Sequence, residues 1–191
     1  RTFNVERQQA ITLQEEIVRR VATQVETYIF AREEDLRLLL EVQGLPDLEV
    51  DQQKALLRSL SNNQDVYSEL ILMDNQGQTI VFESPVLLSV TGEAQSYAET
   101  AIFSIPRGSG ETYYSSVQID EETGEPFMII AIPFYDLQTG NFDGVLAANF
   151  RFRPMWTLME ELKSEIKGFV YVVDNNGRVV AHPNRSVVLQ G

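Results

Sequence analysis

Apolar and polar positions follow the same order at two places in this chain, LILMDNQGQTIVF over 70–82 and VYVVDNNGRVVAH over 170–182. The offset between them is constant, since both Asp74 to Asp174 and Gly77 to Gly177 span 100 residues. Each copy is an apolar run, an Asp-Asn-X-Gly turn in which Gly can take a positive φ, and a second apolar run, which predicts a β-hairpin. The spacing is longer than a solenoid repeat and close to a small domain, so it reads as duplication of a whole module. The second unit is expected to be cut short, because only about two strands of ordinary length fit between Gly168 and Gly191.

Upstream of the first copy the period changes. From Asn4 to about Val42, Ile11, Val18, Val21, Val25, Tyr28, Ile29, Leu36, Leu39 and Leu40 recur at helical spacing with no Gly or Pro between them. This predicts a rod roughly 60 Å long, ending at Gly44 and Pro46. Ile11, Val18 and Val25 keep a seven-residue step, with Val21 and Tyr28 between. That spacing outlines a parallel dimer seam through Ile11, Val18, Val21 and Val25, and Arg32 and Asp35 break it. A long helix lying along its own sheet fits the same positions, and the pattern does not choose between the two.

The remaining elements follow from alternation and turn residues. A helix is predicted over Asp51 to Ser61, capped by Asp51, with Ala55, Leu56 and Leu60 inward. Then come the Glu69 to Phe82 hairpin, a short helix around Tyr97 to Phe103, and a loop at Gly108 and Gly110. A half-buried strand over Tyr113 to Ile119 turns at DEETGE into a central strand, Phe127 to Phe134. A loop from Asp136 to Asp143 precedes a strand over Val145 to Phe152. Pro154 opens a helix from Met155 to Lys167, in which Trp156, Met159 and Leu162 share a face, and which leads into the second hairpin. Antiparallel hairpins in one sheet with flanking helices make the fold class α+β.

Composition removes several kinds of function. The chain has 191 residues, 43% of them hydrophobic, and 7 prolines, so it can bury a core. Its net charge of −13 repels a phosphate backbone, and nucleic acid is not expected as a partner. With no cysteine there is no disulfide, thiol nucleophile or cysteine-based zinc site. No apolar run approaches the roughly 20 residues that cross a bilayer. The one histidine, His182, has no triad spacing and no second histidine for a metal, so no enzyme, cofactor or metal site is expected. Asp120, Glu121, Glu122 and Glu125 surround a Thr-Gly turn, where acidic side chains are ordinarily solvated. Asn184-Arg185-Ser186 matches a glycosylation sequon by a pattern too short to carry weight.

The long N-terminal helix, MDNQGQTIVFES, GEPFMIIAIPFYDLQTGNFDGVLAANF and above all GFVYVVDNNGRVVAHP together resemble the extracytoplasmic double-Cache sensor domains. These are PAS-like modules held between two membrane helices of bacterial and archaeal receptors. The resemblance covers nearly the whole chain. It implies a long helix over 1–46 packed on a PAS-like antiparallel sheet, and a membrane-distal ligand-binding module over 47–153. A connecting helix over 154–167 and the first hairpin of a membrane-proximal module over 168–191 would follow. It further implies a small polar solute as ligand, a homodimer through the N-terminal helix, and flanking membrane helices outside this sequence. The expected parent is a sensor histidine kinase; a chemotaxis receptor, a cyclic-dinucleotide enzyme and a non-binding structural module are the alternatives.

Amino-acid-binding members of that family carry an Arg-X-Trp-Tyr motif whose Arg grips the ligand carboxylate, then a later Tyr and a distal Asp that hold the ammonium group. The corresponding stretch here is Ala94-Gln95-Ser96-Tyr97, in which only Tyr97 matches. Tyr113 or Tyr114 can supply the later aromatic, and Asn149 stands where the Asp would be. The implied lining is Tyr97, Tyr114, Ser116, Tyr135, Asp136 and Asn149, which suits a neutral or mildly cationic polar solute and disfavours free α-amino acids. Arg107, in Pro-Arg-Gly-Ser-Gly, is expected in an exposed loop.

Overall fold

A computed structural model describes residues 2–63, 66–85, 95–120, 123–152, 172–173 and 179–181. The chain divides into two compact units, Arg1–Glu34 and Asp35–Gly191. The described residues of the first unit are all helical. They belong to α1, Thr2–Arg37, an uninterrupted run of 36 residues. Within it the Arg32 guanidinium lies 5.2 Å from the centre of the Tyr28 ring. Burial pushes the Tyr28 phenol up to about 12, while Arg32 pulls it back. Leu13, Val18 and Phe30 are exposed; the side chain of Ile11, the first seam position, lies outside the described residues.

In the second unit, α1 passes into a π-helical turn, Leu38–Val42, and stops at Gly44, whose φ of 63° lets a 3-10 turn, Leu45–Asp47, begin with Pro46 near its start. Helix α2 follows at Val50–Asn63. Its inward row is Gln53, Leu57 and Ser61, at a spacing of four, with Leu56 and Leu60 half-buried and Ala55 exposed. The expectation of Ala55 inside is corrected by one helical step. Gln53 can sit inside because its Nε2 donates to the Leu45 carbonyl at 3.2 Å.

The sheet is six-stranded and antiparallel: β1 Tyr67–Asp74, β2 Thr79–Glu83, β3 Tyr113–Tyr114, β4 Gln118–Ile119, β5 Pro126–Tyr135 and β6 Phe142–Arg151. Its order is β2-β1-β6-β5-β3, with β4 also paired to β5. The single strand expected over Tyr113 to Ile119 is broken in two. Ser115 is buried at the break, where its hydroxyl accepts from the Ile129 N–H at 2.9 Å and donates to the Ser116 carbonyl at 2.8 Å. A side chain has taken over ladder positions there. Helix α3, Ala101–Ser109, lies between β2 and β3 and ends at Gly110, φ 74°. Gly108 is therefore inside a helix rather than a loop.

Alternation along the strands gives the sheet two faces. Leu70, Leu72, Leu146, Ala148, Phe150, Ile130 and Ile132 point one way, all at most 1% exposed. Helix α2 covers this side, tied to it by Arg58 and Glu83 at 3.0 Å. Ile71, Met73, Ala131, Val145 and Ala147 point the other way and pack with Phe103 of α3. Strands β7, Val172–Val173, and β8, Val179–Ala181, pair antiparallel with Val172 opposite Ala181 and Val173 opposite Val179. Leu72 opposite Val81 and Met73 opposite Thr79 is the same register, with the same irregularity, 100 residues earlier. The connecting helix expected over 154–167, with Trp156, Met159 and Leu162, lies outside the described residues, as do His182 and the sequon.

Candidate ligand-binding face

The turn between β1 and β2 sets the position of the first aromatic. Asp74 Oδ1 accepts from the N–H groups of Gln76 at 2.8 Å and Gln78 at 2.9 Å, closing the Asp-Asn-Gln-Gly turn. Gly77 has φ 79°, and a Cβ there would come within 2.8 Å of the Ala98 nitrogen. Glycine thus allows the 95–98 segment to lie against the hairpin. Tyr97 N–H donates to the Gly77 carbonyl at 2.8 Å, and Thr79 N–H to the Gln95 carbonyl at 3.2 Å. Thr100 Oγ1 then donates back to the Tyr97 carbonyl at 2.6 Å as the chain enters α3. Tyr97, Tyr113, Ile129 and Phe142 pack at the margin of the Phe103 cluster, half-buried.

Polar groups meet on this face at one end of the ladder. Asn149 on β6 pairs with Glu69 on β1 and with Ile129 on β5. Paired residues in an antiparallel sheet point to the same side, so Glu69 and Asn149 stand beside each other, on the side of Ile71 and Ala147. Asn149 Oδ1 is buried and has no hydrogen-bond partner among the described residues. Glu69 is half-buried. Burial and, after it, the negative charge of Glu69 push the Tyr97 phenol above its ordinary value. At neutral pH Tyr97 is therefore a neutral phenol close to a carboxylate.

The six residues implied by the resemblance fall into three places. Tyr97 and Asn149 share the Phe103 face. Tyr114 pairs with Ile130, so it points to the opposite face from Tyr113, and it is 40% exposed. Ser116 is exposed beside it; the buried hydroxyl is that of Ser115. Tyr135 and Asp136 line a separate cleft of about 630 Å³ with Arg37, Glu41 and Thr112. Tyr135 packs edge-on against Phe142 with ring centres 6.0 Å apart. Asp136 closes a surface turn: the Thr139 N–H and hydroxyl and the Gln138 N–H donate to its carboxylate and hold it below the usual carboxylate range. Tyr113, the other candidate for the later aromatic, belongs to the Tyr97 face, as does Glu69, which was not singled out from sequence. The signal for Glu69 was present in the alternation of Glu69, Ile71 and Met73, which places it with the small-residue face once β6 is known to be the neighbour.

Arg107 is exposed in the last turn of α3, with its guanidinium 5.8 Å from the Phe103 ring centre. Asp120 Oδ1 accepts from the Thr123 N–H at 2.8 Å, and Glu125 faces Arg151 at 3.7 Å. Among the described residues no group of three His, Cys, Asp or Glu side chains could hold a metal ion. Nor is any helix among them long and apolar enough to cross a membrane.

The family model described as the Cache domain matches this chain over residues 4–190. The chain belongs to the Cache domain family. Solved Cache-like folds agree with this. The ligand-binding domain of the Pseudomonas aeruginosa amino acid chemoreceptor PctC, in complex with GABA, superposes with a TM-score of 0.71 at 17% identity, covering 94% of this chain and 78% of that one. The ligand-binding domain of the Campylobacter jejuni chemoreceptor Tlp3, in complex with 4-methylisoleucine, gives 0.73 at 11% identity, covering 95% and 72%. That of the Pseudomonas fluorescens chemoreceptor CtaA, in complex with L-serine, gives 0.53 at 17%, covering 90% and 71%. No curated protein sequence matches this Cache domain.

Proposed function

We propose that this Cache domain is the extracytoplasmic ligand-sensing part of a transmembrane signalling receptor. Its ligand is a small polar solute held on the Phe103 face of the sheet in the membrane-distal module, 47–153, and its binding is passed to the membrane through the connecting helix, 154–167. The observation that carries this reading is the grouping of Glu69, Asn149 Oδ1 and the Tyr97 phenol on one sheet face. A buried acceptor without a partner costs stability, and a ligand that donates to it recovers that cost. The domain senses; any catalysis belongs to an output module. The structural relatives named above are chemoreceptors, which supports a chemotaxis output over the histidine kinase that the family resemblance suggested.

In the receptor the N-terminal helices of two copies pair along Ile11, Val18, Val21 and Val25; the exposure of Val18 supports that seam, whereas Val21 is already buried in the single chain. Placing Glu at both Val18 and Val25 is expected to abolish a concentration-dependent dimer in analytical ultracentrifugation; a persisting dimer would place the seam elsewhere. A thermal-shift screen of small metabolites tests the sensing role. A ligand at 100 times its dissociation constant adds about 2.7 kcal/mol, and a screen without any response would leave a structural module as the better account.

A further inference from the structure

We propose that the cleft of about 630 Å³ lined by the turns that end α1 and by the β5–β6 hairpin is a second binding site, and that it takes a flexible organic dication, two ammonium groups joined by a short methylene chain. It is separate from the Phe103 face and does not depend on the role of that face. One wall comes from Arg37, Leu40, Glu41 and the 3-10 turn at Pro46 and Asp47, the other from residues 110–112 and the end of β5. The first wall includes the π-helical turn Leu38–Val42, a departure from the α-helix that is frequent at functional sites. Leu40, Ile132, Phe134 and Tyr135 give the cleft apolar surface, and the Tyr135 ring is 42% exposed.

Five carboxylates line the cleft against one guanidinium. Arg37 is already engaged, donating to Thr112 Oγ1 at 2.9 Å and facing Glu41 at 3.5 Å. Asp136 is held by the donors of its own turn. The carboxylates of Asp47, Glu111 and Asp143 remain, exposed and without a partner among the described residues. A bulge places the last of them. The β5–β6 ladder steps from Phe134–Gly144 to Tyr135–Phe142, so Asp143 is the extra residue on β6 with nothing opposite it.

A second, independent observation asks for a donor. The cleft shares Pro46, Phe134 and Asp143 with a smaller cavity of about 120 Å³, which Gln53 and Asp74 also line. Gln53 is 4% exposed; its Nε2 donates to the Leu45 and Pro46 carbonyls at 3.2 and 3.4 Å, and its Oε1 is buried with no partner among the described residues. A buried acceptor in the company of two carboxylates favours charged N–H donors. A primary ammonium carries three of them and no acceptor. One ammonium at this cavity, methylenes over Phe134 and Tyr135, and a second ammonium at Asp47 and Glu111 match the unpartnered groups and the apolar surface together.

Titration calorimetry on the whole chain at physiological ionic strength, which screens diffuse attraction to an acidic protein, tests this with putrescine, spermidine, butylamine, butanediol and magnesium. Putrescine and spermidine should bind, butylamine more weakly, and butanediol and magnesium not detectably. Asp47→Asn, Glu111→Gln and Asp143→Asn together should weaken spermidine about tenfold, the order expected of three solvent-facing ion pairs. Glu15→Gln with Glu16→Gln, the control at exposed positions of α1, should leave it nearly unchanged. If the triple variant fails to fold, the single replacements take its place, each weakening spermidine about twofold or more. Butylamine or butanediol binding as tightly as putrescine, magnesium binding as tightly, an equal loss in the control variant, or no spermidine binding at millimolar concentration overturns the inference. Loss of spermidine in Glu69→Gln but not in the triple variant would move the cation to the Phe103 face, overturning this site while leaving the sensing role intact. Spermidine lost only in the triple variant upholds the site even if the metabolite screen finds no ligand for the Phe103 face.

Discussion

The two faces of this sheet are made from the same strands and differ in the side chains they present. On the α2 side the central strands present Leu70, Leu72, Ile130, Ile132, Leu146 and Phe150, large side chains that are fully buried. On the α3 side the same strands present Ala131 and Ala147 at the middle and Glu69 and Asn149 at one end. The methyl groups let Phe103 pack against the sheet together with Ile71, Met73 and Val145. One face is built to close water out. The other carries an unsatisfied carbonyl and a carboxylate, a combination that weakens a core and suits a binding surface.

The largest effect should come from the closed face. Phe150→Ala is expected to cost about 3–5 kcal/mol in urea unfolding, the ordinary range for a buried aromatic in a core that cannot collapse. A loss below about 1 kcal/mol would mean the α2 side is not the stabilising one. Next, Gly77→Ala forces a Cβ into the left-handed region and against the Ala98 backbone. Strain and overpacking together are worth about 2–4 kcal/mol, and displacing the Tyr97 segment should weaken ligand binding as well. Unchanged ligand binding in that variant would separate Tyr97 from the site.

Asn149→Val lies one residue from Phe150 and should act in the opposite direction. Removing a buried unpartnered carbonyl is expected to be neutral or to raise stability by about 1 kcal/mol, measured in the same urea series. A loss instead would mean that Asn149 serves the fold. The smallest effect concerns pH. Folding raises the proton affinity of Tyr97, so the folded chain keeps this proton where the unfolded chain has lost it. The resulting stability is fully present below the ordinary tyrosine value near 10 and is lost as pH rises through the higher folded value. Tyr97→Phe should flatten that alkaline decline in part, with Tyr28, raised to about 12, accounting for more of it.

Much of this could be read along the chain, because it depends on neighbours in sequence. The Asp74 to Gly77 turn, both hairpins, the helix stop at Gly44 and the α+β class follow from residues within a few positions of each other. The duplication holds down to pairing: Leu72 with Val81 and Val172 with Ala181 share one register. The family pattern also pointed to Tyr97 and Asn149, which share one face of the sheet.

The phase of short alternating segments was not. In Tyr113-Tyr114-Ser115-Ser116 each residue type occurs twice in a row, so period two assigns either member of a pair to either face. Pairing of Tyr113 with Ala131 settles it, putting Tyr113 and Ser115 on the side of Tyr97 and Asn149. Glu69 is the same problem at longer range. Its strand and its alternation were visible, but whether β1 lies beside β5 or β6 is decided by how two helices can cover one sheet, a property of the whole fold. The sequence by itself determined the elements, the turns and the repeat, since local backbone preferences set those. Only the tertiary structure decided that Glu69 and Asn149 stand side by side, because strand order brings together residues eighty positions apart that no local preference relates.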